Sequence, residues 1–378
     1  MDDESFLTED ELADLERDRA WPPLSPEDQA RLDSLLQRSR VGRKPGDSSR
    51  HHFIPQFLQK RFSNHNEQLA VIPLDGGNRR ISNVLDIAVV SNFYTTIDKN
   101  LGENVGFEII LAELDGLASG IISELVEGDA FAVSKSDLET LALWIAVLNT
   151  RDPYTRRLFE AVADREIKKD LLENVSVEKV RERLEHNLGR TPAEDEIEAL
   201  LDLAESLDRI EITPHQNDLV VGFLDAALFC QPFIARRSLS VIHFREPGLI
   251  LSDRPVVLAS RSDSPGMRGM AHAEQILIPV SRRTALLLRK DDSIPMNVMN
   301  ISADERMTSL NQSVLLNART EAYCHPDDVH QLNGLKFPDV DRPLLQTDSD
   351  IGIEVDGVNQ APRRKRPLRF ARPSGAEN

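Results

Sequence analysis

The chain has 378 residues, 40% of them hydrophobic and 29% charged, with a formal net charge of −18. That length supports a large core, in one domain with appendages or in two, and the charge argues against a nucleic-acid coat made by the whole surface while leaving room for a local basic site. Only Cys230 and Cys324 are present, too few for a disulfide framework; with no apolar run of about 18 residues and an acidic N-terminus unlike a secretory signal, a cytoplasmic protein without a membrane span is expected.

Residues 1–40 carry twelve acids and five bases. Thr8 and Glu11 match a capping box, and Ser25-Pro26-Glu27-Asp28 combines a cap, a proline at the first helical position and acids in the first turn. Two short helices are expected there, then a linker over 41–49 (VGRKPGDSS). In HHFIPQFLQKRF (51–62), Pro55 suits a first helical turn and Ile54, Phe57, Leu58 and Phe62 form an apolar stripe after it. LAVIPL (69–74) reads as a strand and DGGNRR (75–80) as its turn.

Over 104–127 the residues Phe107, Ile110, Leu111, Leu114, Leu117, Ala118, Ile121 and Leu125 recur at helical spacing, with Gly116 and Gly120 as a GxxxG pair read as close helix packing. A second helix is expected over 136–149, with Ser136 and Glu139 as its capping box and an end before Pro153. Residues 160–211 read as a charged helical insertion in which Thr191 caps and Pro192 opens a helix. More helix is expected over 217–236.

The texture then changes. SLSVIHF (238–244), GLILS (248–252), PVVLA (255–259), QILIPV (275–280) and TALLLR (284–289) are short β-rich runs, followed by a helix over about 302–319 and a strand, EAYC, at 321–324. The shift from 3.6-residue to two-residue periodicity implies an α+β fold: a helical N-terminal half packed on a mixed or antiparallel sheet formed mainly by the C-terminal half. Three segments are expected: an acidic helical extension and linker (1–49), a single α+β domain (50–330) and an extended tail (331–378). The tail carries Arg363, Arg364, Lys365, Arg366, Arg369 and Arg372 with no acid over 361–373. It reads either as an arm for nucleic acid or another anionic ligand, or as a solubilising tail that touches the acidic body.

HHFIPQFLQKRF at 51–62, SNFYT at 91–95, the helix with Glu108 and Asp115-Gly116, LNTRDP at 148–153, His215, ILSDRPVV at 250–257, ILIPVS at 276–281 and LNQSVLLNA at 310–318 follow one another in a familiar order. In this the chain resembles the bacterial family catalogued as domain of unknown function 4238, over about 50 to 325. The resemblance implies a fold-sized block and a set of positions, Asn311 among them as a ligand-binding candidate, and no mechanism. The chain departs from the family in its acidic extension, its insertion, its basic tail and Arg254, where members often carry asparagine.

His51 and His52 raise the functional question. Adjacent side chains point to opposite faces of a strand, or about 100° apart on a helix, so the pair is not expected to ligate one metal equally. Placed before a helix N-terminus, they would sit near free N–H donors that welcome an anion, where a neutral imidazole can act as a general base or metal ligand. One of them capping the backbone and the other lying on the surface is the structural alternative. Arg151, at a helix end, is a clamp for phosphate or carboxylate, or a cation satisfying the helix dipole. Asp253, after an apolar strand, is a catalytic carboxylate or an Asx turn. Glu108 and Asp115 lie seven residues apart on one helix edge and face a shared cavity or form a solvated rim. His215 is a third imidazole for the site or a helix-start residue.

Two functions follow. The first is hydrolysis of phosphodiesters, nuclease-like, by His51, His52, Arg151, His215 and Asp253, with a divalent metal as a candidate cofactor. HHxxP superficially resembles the start of HNH endonuclease motifs, but Asn64 and His65 lie too close for a ββα-metal site. Cys324-His325 has no second pair at zinc spacing, DGGN precedes no GK[ST], and GxSxG, GxGxxG and HExxH are absent. The second is a non-catalytic ligand-sensing or protein-interaction module, with Glu108, Asp115 and Asn311 as ligand-binding candidates, in which the polar cluster binds a small anion or is structural. Convergence of His51 or His52, Arg151, His215 and Asp253 on one open pocket would separate the two.

Overall fold

The structure, a computed structural model, describes residues 41–44, 49–98, 100, 102–128, 133–173, 176–205, 211–259, 269–271, 273–290, 297–301 and 304–339, with isolated positions 30, 34, 37, 354–355 and 358–359. The basic segment 363–372 and nearly all of the acidic extension lie outside the described residues. Position 30, 34 and 37 are helical, within the span expected to follow the Ser25-Pro26 start.

Three strands and a short helix open the body: β1 (Arg50–His52), α1 (Gln56–Lys60), β2 (Gln68–Pro73) and β3 (Arg80–Asn83). The DGGNR segment turns β2 into β3, with Asp75 Oδ1 accepting from the Gly77 N–H as Asx turns do. After β4 (Val89–Ser91), β5 (Thr96–Asp98) and β6 (Gly102–Asn104) come two long helices, α2 (Gly106–Glu127) and α3 (Lys135–Thr150). α2 buries Phe107, Ile110, Leu111, Ala118 and Leu125 of the expected stripe, but it buries Ile122 more deeply than Ile121 and leaves Leu117 63% exposed. Gly116 and Gly120 face open space, so this GxxxG pair packs against no other helix among the described residues.

The start of α3 lies one residue before the expected position. Its capping box is Ser134 with Asp137, not Ser136 with Glu139. VSKSDLETL offers both boxes at the same spacing. Only the earlier one puts Val133 before the cap and Leu138 at the fourth helical position, and both of these pack on the core, the pattern of a hydrophobic staple.

α4 (Pro153–Glu173), α5 (Val177–Leu188) and α6 (Glu194–Glu205) form the charged helical region, and α7 (Gln216–Ala235) returns to the core. By length and composition alone α7 could cross a membrane. Here it packs more extensively on α3 than any other pair of elements, burying Leu219, Val220, Phe223, Leu224, Ala227 and Leu228.

The second half supplies β7 (Ser238–Phe244), β8 (Leu251–Ser252), β9 (Val257–Ala259), β10 (Gln275–Pro279), β11 (Thr284–Arg289), β12 (Asn297–Ile301), α8 (Asp304–Asn317) and β13 (Glu321–Cys324). Five of these strands form a sheet in the order β12-β7-β11-β10-β9, antiparallel except for the parallel β12–β7 pair. This is the sheet expected largely from 238–289, with two differences. β12, which makes it mixed, comes from 297–301, where no strand is expected. β8 leaves it for a four-stranded sheet, β3-β2-β13-β8, that combines strands from both ends of the body. The fold is therefore α+β, but helices and strands interleave along the chain and the first half contributes strands of its own.

Two boundaries expected from the sequence also sit inside hydrogen-bonded structure. Val41 and Arg43 exchange backbone hydrogen bonds with Val105 and Glu103 beside β6, so 41–44 is attached to the body. Lys336, beyond 330, is tied to Gln312 on α8 through both its N–H and its carbonyl.

Candidate functional site

His51 and His52 lie on β1, paired antiparallel with β4 in the register His51↔Val90 and His52↔Val89. Strand alternation sends them to opposite faces. The helix that follows has only five residues, with Pro55 as its non-helical cap. One turn presents no helix dipole to speak of, so the anion-welcoming end expected at Pro55 is absent.

His51 is fully buried and stacks on the Tyr94 ring, with centroids 5.5 Å apart and planes 8° from parallel. The Tyr94 backbone N–H donates to His51 Nδ1 at 2.9 Å. Nδ1 is thereby an acceptor, which puts the ring proton on Nε2, 2.9 Å from Glu108 Oε2 but outside hydrogen-bond alignment. His52, half-buried, sits 3.2 Å from the Val84 carbonyl through Nε2 and 3.3 Å from Gln56 Nε2 through Nδ1. Burial lowers its pKa, with the Val84 carbonyl opposing that shift. The two imidazoles thus have separate partners.

Tyr94 connects the first histidine to Arg151. Its hydroxyl donates to the Arg151 carbonyl at 3.3 Å and approaches the His52 carbonyl at 3.4 Å. Burial raises its pKa, so the hydroxyl stays a donor. Arg151 caps the C-terminus of α3 with 1% of its surface exposed. Its guanidinium grips Asp115 in a two-pronged pair of 3.0 and 3.2 Å, and Trp144 Nε1 donates to the same carboxylate at 3.1 Å. Burial favours the neutral form of Arg151, but the Asp115 charge outweighs it and its pKa rises. Glu108 and Asp115 thus occupy one edge of α2 as their spacing implies, and each is paired with a buried partner.

The next residue opens a second cluster. Asp152 caps α4, accepting from the Tyr154 and Thr155 N–H groups at 2.8 and 3.0 Å, and Pro153 takes the first helical position. Arg254 places Nε 3.4 Å from Asp152 Oδ2 and its guanidinium 4.5 Å from the Tyr154 ring centroid. Arg319 lies 4.0 Å from the same centroid and donates to the Tyr154 hydroxyl at 2.8 Å. Asp253, 6% exposed, accepts from the N–H of Arg319 at 2.8 Å and from both the N–H and hydroxyl of Thr320 at 2.6 Å. Burial raises its pKa, while the Thr320 and Arg319 donors oppose the shift. This is the turn-fixing arrangement, and it ties the end of β8 to the loop before β13.

The structure therefore brings His51, Glu108, Asp115 and Arg151 into one cluster and Asp152, Arg254 and Asp253 into a second, and the two, joined at the Arg151–Asp152 peptide bond, form a partly buried network. His52 meets this network through its carbonyl, an acceptor for the Tyr94 hydroxyl, while its ring has its partners outside it. His215 caps α7 through Asn217 N–H with its ring exposed, and Asn311 holds the loop before β8 through Gly248 O and Ile250 N, so neither hydrogen-bonds to it. Tyr94, Trp144, Asp152, Tyr154 and Arg319 complete it; SNFYT and LNTRDP contain two of these, but their partners are far apart in sequence. The cavity beside Arg151, walled also by Phe93, Arg156 and Phe223, has about 10 Å³, the size of one water molecule. Among the described residues no three His, Cys, Asp or Glu side chains are grouped to hold a metal ion.

No curated protein and no solved structure matches the chain. The family model described as "Protein of unknown function (DUF4238)" matches residues 50–328. That range takes in every residue of the network and most of the chain, and the protein belongs to this family.

Proposed function

We propose that the chain is a non-catalytic binding module whose His–Arg–Asp network is its structural frame. One observation carries the reading: the Arg151 guanidinium and the Asp115 and Asp253 carboxylates are held by internal partners, His51 Nδ1 accepts from the Tyr94 N–H, and the cavity beside Arg151 has the volume of a single water molecule. A reacting phosphodiester needs open volume next to a base and a cation. The test compares wild type with His51→Ala on bis(p-nitrophenyl) phosphate, with and without Mg2+ or Mn2+, alongside urea denaturation. Wild type is expected to show no turnover above buffer, and His51→Ala to lose about 2–3 kcal/mol through a new cavity and an unpaired Tyr94 N–H.

Hydrolysis of a phosphodiester is the second reading, favoured by one feature. Glu108 keeps 35% of its side chain exposed while lying 2.9 Å from His51 Nε2, so a carboxylate–imidazole pair does reach water. Metal-dependent turnover in wild type, lost in His51→Ala at unchanged stability, would establish this reading and displace the first.

A further inference from the structure

A different part of the molecule has the open volume that the network lacks. Where the β10–β11 hairpin turn meets the end of β7, a cleft of about 340 Å³ opens to solvent, within the size range of small-molecule sites. Arg61, His243, Ser281, Arg283 and Thr284 supply its polar lining, and Phe244 an aromatic wall. We infer that this cleft binds a small organic phosphate.

The charge of the lining is the first argument. Three arginines, 61, 282 and 283, enter a cleft on a chain whose net charge is −18. Arg282 is neutralised by Asp328, which it grips through Nε and Nη2 at 2.7 and 2.8 Å. Arg61 donates to the Ser123 hydroxyl at 2.5 Å and feels the Glu127 charge, and burial lowers its pKa. Arg283 is exposed, and its guanidinium has no partner among the described residues. With both acids counted, the cleft keeps an excess of cations beside hydroxyl and imidazole groups. His243 Nδ1 and Thr284 Oγ1, from opposed positions on β7 and β11, lie 3.1 Å apart and share this lining.

The second argument is rigidity. Val280 and Ser281 N–H groups both donate to Thr284 O, and Ser281 Oγ accepts from the Arg283 N–H, which closes the turn. Gly248 and Leu249 N–H groups both donate to Arg282 O, and Phe244 N–H donates to Arg283 O, so the facing loop is clamped to the turn. Gly248 has φ +155°, and a Cβ there would lie 2.7 Å from Met307 Sδ, so only glycine fits that clamp. A ligand entering such a cleft orders little of the protein.

Guanidinium groups from two separate elements, with hydroxyls in the same lining, suit the several oxygens of a phosphate better than the two of a carboxylate. Phe244, Pro247 and Val126 offer apolar surface to the organic part. A polynucleotide is disfavoured by repulsion from the acidic body.

The inference rests on the reading of the chain as a binding module. It is tested by calorimetric titration of the full chain with uridine 5′-monophosphate, inorganic phosphate, uridine and a 20-nucleotide oligouridylate. Uridine monophosphate is expected to bind more tightly than inorganic phosphate, and uridine not at all. Arg283→Ala should weaken binding about tenfold, the loss of one charge-assisted hydrogen bond, at an unchanged melting temperature. Arg61→Lys provides a second variant, also expected to bind more weakly. Arg236→Ala, at the exposed end of α7, is the control and should bind as wild type does. Absence of binding at millimolar monophosphate, equal affinity in wild type and both cleft variants, or tighter binding of the oligonucleotide would each overturn the proposal. These outcomes leave the binding-module reading intact, since that reading falls only if the wild type hydrolyses the phosphodiester.

Discussion

Arg151 and Arg283 belong to the same residue type and meet opposite fates. Arg151 is 1% exposed, and its guanidinium, carbonyl and N–H all have partners inside the fold. Arg283 stands at a hairpin turn with its guanidinium in water. The difference shows that residue type and catalytic resemblance are weak guides to a site. What decides is whether the polar group is offered to a ligand or already spent on the chain. A charge buried without its partner is costly, so a buried guanidinium such as that of Arg151 has its charge matched inside the fold.

The largest effect that could break this contrast is on stability. Arg151→Ala would leave Asp115 facing Trp144 without its cation, and a loss of about 3 kcal/mol is expected in urea denaturation, the lower end of the range for broken buried pairs because Asp115 is 20% exposed. Arg283→Ala, by comparison, should stay within about 0.5 kcal/mol of wild type. Similar losses in the two variants would erase the distinction between frame and cleft.

Asp253 sharpens it through pH. Its folded pKa is raised by burial, so the folded state binds the proton more tightly than the unfolded one. Stability is then greatest below the unfolded value, about 3.9, and falls as pH rises through the folded pKa. Asp253→Asn removes that dependence. The stability of wild type minus that of Asp253→Asn is expected to decline with rising pH above about 4, and a flat difference in parallel urea titrations would refute it.

The smallest effect concerns His52. Burial lowers its pKa from 6.5, so its neutral form contributes stability that is complete above 6.5 and lost as pH falls through the folded value. His52→Asn should flatten this dependence. The change is expected to be slight because the ring is partly solvated, and a larger acid sensitivity in the variant would contradict it.

Much of the fold was legible in the sequence. The β-rich runs SLSVIHF and TALLLR mark β7 and β11 to the residue, and the stripe on α2 marks most of its buried face, missing at Leu117 and giving Ile121 in place of Ile122. The cap of α3 was misplaced by two residues because two overlapping boxes satisfy the same local rule, and packing of Val133 and Leu138 chose between them. β8 was assigned to the wrong sheet, since two residues carry no register information and its partner lies at 321–324. At the network, Glu108 and Asp115 were found by helical spacing and Arg151 by its place at a helix end. Tyr94 and the Tyr154–Arg254–Arg319 stack were missed, because a contact between residues 154 and 319 leaves no trace in local pattern. Arg254 looked like a departure from the family, and it occupies the gap between Asp152 and Tyr154. The cleft leaves no local signal for a related reason: Arg61, His243 and Arg283 belong to three separate segments, the cap of α1, a strand and a hairpin turn, that only the tertiary fold brings together.

β13 sits between β2 and β8 in the centre of its sheet. During synthesis, β2 emerges long before the strand that completes it, and until then Leu69–Ile72, buried on both faces in the finished fold, must wait with an open edge. Pairing so distant in sequence makes for slow, high-contact-order folding. The body therefore closes late and as a unit, and a chain that ends before Glu321 keeps a sticky apolar edge in place of a smaller domain.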